Sequence, residues 1–299
     1  MIPSMPDLPP AFSIVVPVFN GAATIAACIE SLLALDYAKD RYEIICVDNA
    51  STDDTAARLH GFLPHIRILR EEIRGAAAAR NLGIREAAHD VIAFTDADCT
   101  VDPDWLRALA TRIGEPGVGI VGGRIAAMEG ANSVERFGER IHDHRRAIEQ
   151  LRAPYVITMN WASPRQLLLE ISLFDESLLR GQDTDLAFRI GAAGWRMVYV
   201  PDAIVRHFNE RSLWGLFCEG WTHGRYAPLL RRRHSKARQP PSRGQQIWKA
   251  MKRAWTTETL TGPDSPWRDH LYALTFNTGK AVGEIVTLAG RSPKGWQKG

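Results

Sequence analysis

Val91-Ile92-Ala93-Phe94-Thr95-Asp96-Ala97-Asp98 decides how this chain reads. The apolar run at its start predicts a strand buried on both faces. Two carboxylates, one residue apart, follow at the carboxyl end of that strand, where open α/β sheets bind ligands. Hard oxygen donors of this kind suit Mg²⁺ or Mn²⁺, and those ions usually bring substrate phosphates with them. The stretch therefore reads as a metal-bridged nucleoside diphosphate site. The same letters also fit a strand end followed by turn residues and a helix cap.

Strand and helix patterns alternate on either side. Phe12–Phe19 predicts a first strand, with Asn20 as the cap of a helix that buries Ile25, Cys28, Ile29, Leu32 and Leu33. Tyr42–Val47 predicts a second strand ending at Asp48, and Ser51 with Asp54 looks like a capping box. Ile66–Leu69 is a short third strand, and the alanine-rich stretch from Gly75 to Ala88 is a helix by propensity. Pro103 opens a further helix at its first position. Val118–Gly123 and Arg196–Val200 read as later strands, and Leu271–Leu288 as a helix. Alternation of this kind predicts an α/β fold, a mostly parallel sheet flanked by helices. The order of the strands is not readable from it.

Of 299 residues, 45% are hydrophobic and 24% charged, as in an ordinary globular protein. No run of 18 apolar residues predicts a transmembrane helix, and the N-terminus lacks a signal-peptide pattern. The four cysteines have no metal-type spacing and fit reduced thiols of a cytoplasmic protein. The net charge of +3 is unevenly placed. Ten Lys and Arg lie between Gly220 and Thr257, where no acid occurs, and the remaining 27 face 34 acids. A basic block on an acidic body points to an anionic partner.

Several motifs fall in one order. They are Val16-Pro17-Val18-Phe19-Asn20, Val47-Asp48-Asn49, Arg74-Gly75, Ala79-Arg80-Asn81-x-Gly83 and Thr95-Asp96-Ala97-Asp98. Phe174-Asp175-Glu176, Gly181-Gln182-Asp183-x-Asp185-Leu186-x-x-Arg189 and Val205-Arg206-His207 follow. Together they resemble the family 2 glycosyltransferases, inverting enzymes of the GT-A fold, over about residues 12 to 233. The resemblance implies a GT-A domain over 12–233, after a flexible N-terminus of residues 1–11 and before a basic, tryptophan-containing helical tail over 234–299.

It also implies roles. Pro17, Val18, Phe19 and Asn20 would line the nucleotide pocket as a loop, and Asp48 would accept hydrogen bonds from the base, as an ionised carboxylate can. The family often has a second acid where this chain has Asn49. Arg74 and Arg80 would balance diphosphate charge with their rigid forks of donors; Arg80 pairing with Asp96 is the alternative. Asp96, Ala97 and Asp98 form the metal motif, with Asp98 the more direct ligand and His207 completing the site for Mn²⁺ or Mg²⁺. Asp183 would be the general base, with Asp185 as runner-up unless it pairs with Arg189 at i+4. Gln182 replaces an acid of the family pattern, which predicts a slightly weaker base at Asp183. Trp161 is placed to stack on an acceptor ring or to fill the core. His142 and His144 are poor joint ligands, being two apart on an expected helix.

The expected partners are a nucleotide-diphosphate sugar, with uridine diphosphate the commonest leaving group in the family, and a carbohydrate or lipid-linked acceptor. Cell-surface polysaccharide or glycolipid synthesis is the implied setting. Seven of nine tryptophans follow residue 190 and mix with the basic block, which suits an anionic membrane surface on the inner face of the cell membrane rather than nucleic acid. Two other readings compete: a sugar nucleotidyltransferase, which would need a Gly-rich phosphate loop, and a module that binds the nucleotide sugar without transfer.

Overall fold

The computed structural model describes residues 9–234, 241–258, 260–262 and 264–291. Eight strands form one sheet: β1 (Phe12–Val18), β2 (Tyr42–Asp48), β3 (Arg67–Arg70), β4 (Val91–Phe94), β5 (Cys99–Val101), β6 (Val118–Ala127), β7 (Trp161–Pro164) and β8 (Arg196–His207). Their order is β3-β2-β1-β4-β7-β6-β8-β5. β3, β2, β1 and β4 are parallel, as the alternating pattern predicts. β7 pairs antiparallel with β4 and β6, and β5 antiparallel with β8, so the sheet is mixed.

The helices are α1 (Ile25–Leu33), α2 (Thr55–His60), α3 (Ala76–Glu86), α4 (Trp105–Ile113), α5 (Ser133–Ile141), α6 (Arg165–Glu170), α7 (Gln182–Ala192), α8 (Leu213–His234), α9 (Arg243–Ala254) and α10 (Trp267–Leu288). Both faces of the sheet are covered, and β1 shows why its sequence is apolar at every position. Phe12, Ile14, Val16 and Val18 pack with Ile25, Ile29, Leu32, Trp105 and Leu109 of α1 and α4. Val15 points to the other face, with Ala77, Ile84, Leu186 and Ile190 of α3 and α7. A Cβ on Gly83 would lie 2.5 Å from Val15 Cγ1, so that glycine lets α3 sit directly on β1.

Three local expectations are corrected. Asn20 caps no helix: it has φ +50 and α1 begins at Ile25. Ser51 and Asp54 form no capping box, because the Ser51 hydroxyl is taken by the Asn20 N–H. Pro103 stands outside α4, whose N-cap is Asp104. Each is a loop residue recruited by a neighbouring loop rather than by its own helix.

The described residues divide into two compact units. The first takes those up to Ala126, then Asp143–Glu176 and Gln182–His207. The second takes Ala127–His142, Ser177–Gly181 and those from Phe208 onward. In the second unit α8 and α10 run parallel in backbone contact. A Cβ on Gly220 would lie 2.1 Å from Phe276 O, and one on Gly224 1.9 Å from Lys280 O. Gly279 and Gly283 meet Phe217 O and Trp221 O in the same way. The buried Glu284 of α10 accepts from Arg231 and Arg253. Among the described residues no helix is long and apolar enough to cross a membrane. The expected N-terminal segment lies mostly outside the described residues.

Candidate functional site

The carboxyl ends of the parallel strands carry two loops laced to each other. Asn20 Oδ1 accepts from Thr52 N at 2.8 Å, the Gly21 N–H donates to Thr55 Oγ1 at 2.9 Å, and the Asn49 N–H donates to Val18 O at 2.8 Å. Pro17 and Val18 are strand residues with buried side chains, not loop residues lining a pocket; Phe19 and Asn20 are exposed beyond them. The reason is that β1 is covered on both faces up to Val18.

Asp48 ends β2 and is 3% exposed. Its Oδ1 accepts from Ser51 N at 3.0 Å, and its Oδ2 accepts from Arg70 at 2.9 Å. Asp48 and Arg70 stand opposite each other in the β2–β3 register. Asn49 organises the next loop. Its Nδ2 donates to Glu71 O and Ile73 O, and its Oδ1 accepts from Gly75 N at 2.7 Å. Gly75 has φ +137, which only glycine tolerates readily. The amide of Asn49 thus does work that a carboxylate could not, since it donates twice. Arg74 is exposed, with its guanidinium 5.0 Å from the Phe19 ring centroid.

Asp96, Ala97 and Asp98 lie in the turn between β4 and β5. Antiparallel pairing sets Cys99 opposite His207, which carries the histidine to Asp98. His207 Nε2 lies 3.5 Å from Asp98 Oδ2, with the Asp98 side chain 50% exposed. Ligand atoms of Asp98, Cys99 and His207 fall within 4.8 Å of one another. Burial pushes the Cys99 thiol well up, and the Asp98 and Asp96 carboxylates add to this; a soft sulfur is in any case a poor donor to a hard ion such as Mg²⁺ or Mn²⁺. Asp98 and His207 remain as converging donors open to solvent on one side. That set fits a divalent ion whose other positions are filled by water and phosphate oxygens. Asp96 turns instead to Arg80, whose Nη2 lies 2.6 Å from its Oδ1. Arg80 is 4% exposed, so it braces the motif from beneath and does not present its fork to solvent.

Asp183 stands in the first turn of α7. Its Oδ1 accepts from Thr184 N at 2.7 Å and its Oδ2 from Thr158 Oγ1 at 3.3 Å. Burial pushes its pKa above the ordinary carboxylate value, with Asp96 adding a little, against the pull of the Thr184 N–H, Arg80 and Thr158. The expected weakening by Gln182 is thus offset: desolvation raises the basicity that a missing neighbouring charge would have raised. Asp185 is fully buried and bound by Arg189 at 2.9 Å, which also donates to Ile171 O and Leu173 O. It is a structural acid.

Trp161 is fully buried, 4.5 Å from the Phe94 ring centroid and 6.2 Å from that of Phe174, and has no face for an acceptor ring. His142 and His144 belong to different units and share no helix. His144 lies against Gly123 O and the Ile157 N–H, while His142 pairs with Glu219 at 3.2 Å. Two supporting asparagines were not singled out as such. Asn81 donates to Phe174 O and Glu176 and accepts from Phe174 N, tying α3 to the loop before α7. Asn160 accepts from the Trp105 indole and donates to Arg124 O and Ala203 O. Polar residues inside otherwise apolar motifs were the available signal.

This sheet, with its acidic turn after β4, has the GT-A fold of solved glycosyltransferases. The model of the family described as "Glycosyl transferase family 2" matches residues 13–172, and the chain belongs to that family. It is similar to the glycosyltransferase AglE of Haloferax volcanii, 29% identical over 66% of this chain and 67% of that protein. It is also similar to the pre-mycofactocin glycosyltransferase of Mycobacterium tuberculosis, 30% identical over 74% of this chain; the chain spans only 48% of that relative's length. Among solved structures, the mannosyltransferase PcManGT of Pyrobaculum calidifontis, in complex with GDP-Man and Mn²⁺, superposes with a TM-score of 0.60 at 20% identity, covering 95% of this chain and 74% of that one. S. aureus TarS 1-349 with UDP-GlcNAc gives 0.55 at 15% identity, covering 94% and 92%.

Proposed function

We propose that the chain moves a sugar from a nucleoside diphosphate sugar to a hydroxyl of a carbohydrate or lipid-linked acceptor, with inversion. The observation that carries this reading is a carboxylate of raised basicity, Asp183, in the same unit as a solvent-open Asp98–His207 pair. Phe19, Asn20, Asp48 and Arg74 serve the nucleotide. Asp98 and His207 hold Mn²⁺ or Mg²⁺, with Asp96 in support; when bound, the ion supplies a Lewis acid for the departing diphosphate. Asp183 takes the acceptor proton while the hydroxyl attacks the anomeric carbon from the face opposite the leaving group. The complexes of related fold with GDP-Man and UDP-GlcNAc support a sugar nucleotide donor. The likeness to the succinoglycan biosynthesis protein ExoO of Rhizobium meliloti, 32% identical over 71% of this chain and 65% of that protein, supports a role in surface polysaccharide synthesis.

The nucleotidyltransferase reading is disfavoured because the loop after β1 is tied to Ser51, Thr52 and Thr55 and offers no glycine-rich phosphate cradle. The non-catalytic module is disfavoured by the retained Asp98 and Asp183. We place the protein in the cytoplasm, with an anionic membrane surface among its partners through the basic C-terminal helices.

Calorimetric titration of uridine, deoxythymidine, guanosine and cytidine diphosphates, with and without Mn²⁺, tests the reading. The expected result is metal-dependent binding of one of them, lost in Asp98→Asn. Binding by none, or binding indifferent to both metal and Asp98, would overturn it.

A further inference from the structure

Helix α9 presents an apolar stripe to solvent. Trp248, Met251 and, just past its end, Trp255 are 59%, 48% and 79% exposed, and their spacing of three and four sets them on one side of the helix. Lys249 and Lys252 adjoin that stripe, with Lys252 Nζ 5.3 Å from the centroid of the Trp248 ring. No acid occurs from Gly220 to Thr257. The neighbouring side of the helix buries Ala250 and half-buries Ile247 and Ala254. The helix is also capped at its start and tied to α10 near its end. Ser242 and Gln245 form a capping box, and Arg253 reaches the buried Glu284 of α10 at 2.7 Å. The indoles are therefore held outward on a fixed helix.

We propose that α9 lies in the interface of an anionic lipid bilayer, its Trp248–Met251–Trp255 stripe among the headgroups and Lys249 and Lys252 against lipid phosphates. This rests on the membrane reading above and names the element that makes the contact. An indole has an apolar body and one N–H, which suits the headgroup level. Each nearby basic residue strengthens binding to such a surface about fivefold. A second copy is a poorer occupant, because a two-fold interface through this stripe would bring the two lysine rows together. Single-stranded nucleic acid would stack on the indoles but leave Met251 without a partner.

Co-sedimentation of the whole 299-residue chain with vesicles tests this, using phosphatidylcholine alone and an equal mixture with phosphatidylglycerol. Binding to the mixed vesicles is expected, reduced about tenfold or more in Trp248→Ser/Trp255→Ser and in Lys249→Gln/Lys252→Gln. All four positions are exposed, so the unfolding temperature should stay at that of the unaltered chain. If the altered chains bind as well as the original, α9 is not the contact, although the membrane reading survives through other basic residues. If the original chain ignores both vesicles, both readings fall. A dimer, or a complex with a single-stranded oligonucleotide, that the tryptophan substitutions abolish would assign the stripe to that partner and overturn the proposal.

Discussion

Two acids at the start of α7, Asp183 and Asp185, meet opposite fates. Asp185 is sealed in the core by Arg189, and removing one partner of a buried pair leaves a charge without compensation. Asp185→Ala should cost about 3 kcal/mol in denaturant unfolding. Asp183 carries a proton affinity raised chiefly by burial, so its ionisation works against the native state. That penalty is absent below the unfolded carboxyl pKa and complete above the raised folded one. Asp183→Asn should therefore unfold at the same or a higher denaturant concentration near neutral pH. The same substitution should keep donor binding and lower the transfer rate about 10² to 10⁴-fold. In the unaltered enzyme, kcat/KM should fall with acidification through a pKa above the ordinary carboxylate value, the direction of the Asp183 shift. At this scale the sequence was informative where chemistry restricts the choice of residue. Acids at strand and helix ends stood out, and the Asp185–Arg189 spacing was open to reading. Which neighbour each residue serves was not readable. Arg80 turning to Asp96 and Trp161 filling the core were each one of two open readings, and Arg70 meeting Asp48 was not foreseen; all three depend on through-space register.

Among elements, the first strands and helices were legible because each has a strong period and an abrupt end. α1 and α3 fall within the predicted stretches, and β8 runs unbroken through the predicted Arg196–Val200 and the apolar stretch Asp202–Arg206, also readable as a strand, to His207. The interposition of β7 between β4 and β6 was not legible, because crossovers choose strand neighbours and leave no local trace. The pairing of α8 with α10 was missed for a different reason. Its signature is a glycine every fourth residue on two helices, Gly220 and Gly224 on one and Gly279 and Gly283 on the other. Four residues on, a helix returns to the same face, so each pair opens a groove that admits the other backbone. Gly224→Ala would set a methyl 1.9 Å from Lys280 O and force the helices apart. Thermal unfolding should show a loss of about 1–3 kcal/mol, or more, since the obstacle is backbone. Gly244→Ala, where a Cβ meets nothing within 4 Å, should be nearly neutral or slightly stabilising.

On the scale of the whole molecule, ligand binding should appear as resistance to unfolding. A nucleoside diphosphate with Mn²⁺ at about a hundred times its Kd should add about 2.7 kcal/mol to the stability of the unit that binds it. Asp98→Asn should show none of this gain in a thermal shift with the same ligands. The antiparallel register that sets Cys99 against His207 has one more consequence. Neither Asp98 nor His207 alone is a useful cation trap; the pair exists only after β5 has met a strand that leaves the ribosome much later. A slip of one position would turn the imidazole to the opposite side of the sheet. An ion held by this pair would thus be a passenger on a finished fold, and refolding in a chelator should return a native apoprotein. Later addition of Mn²⁺ would then count the molecules whose last strand has zipped into its proper place.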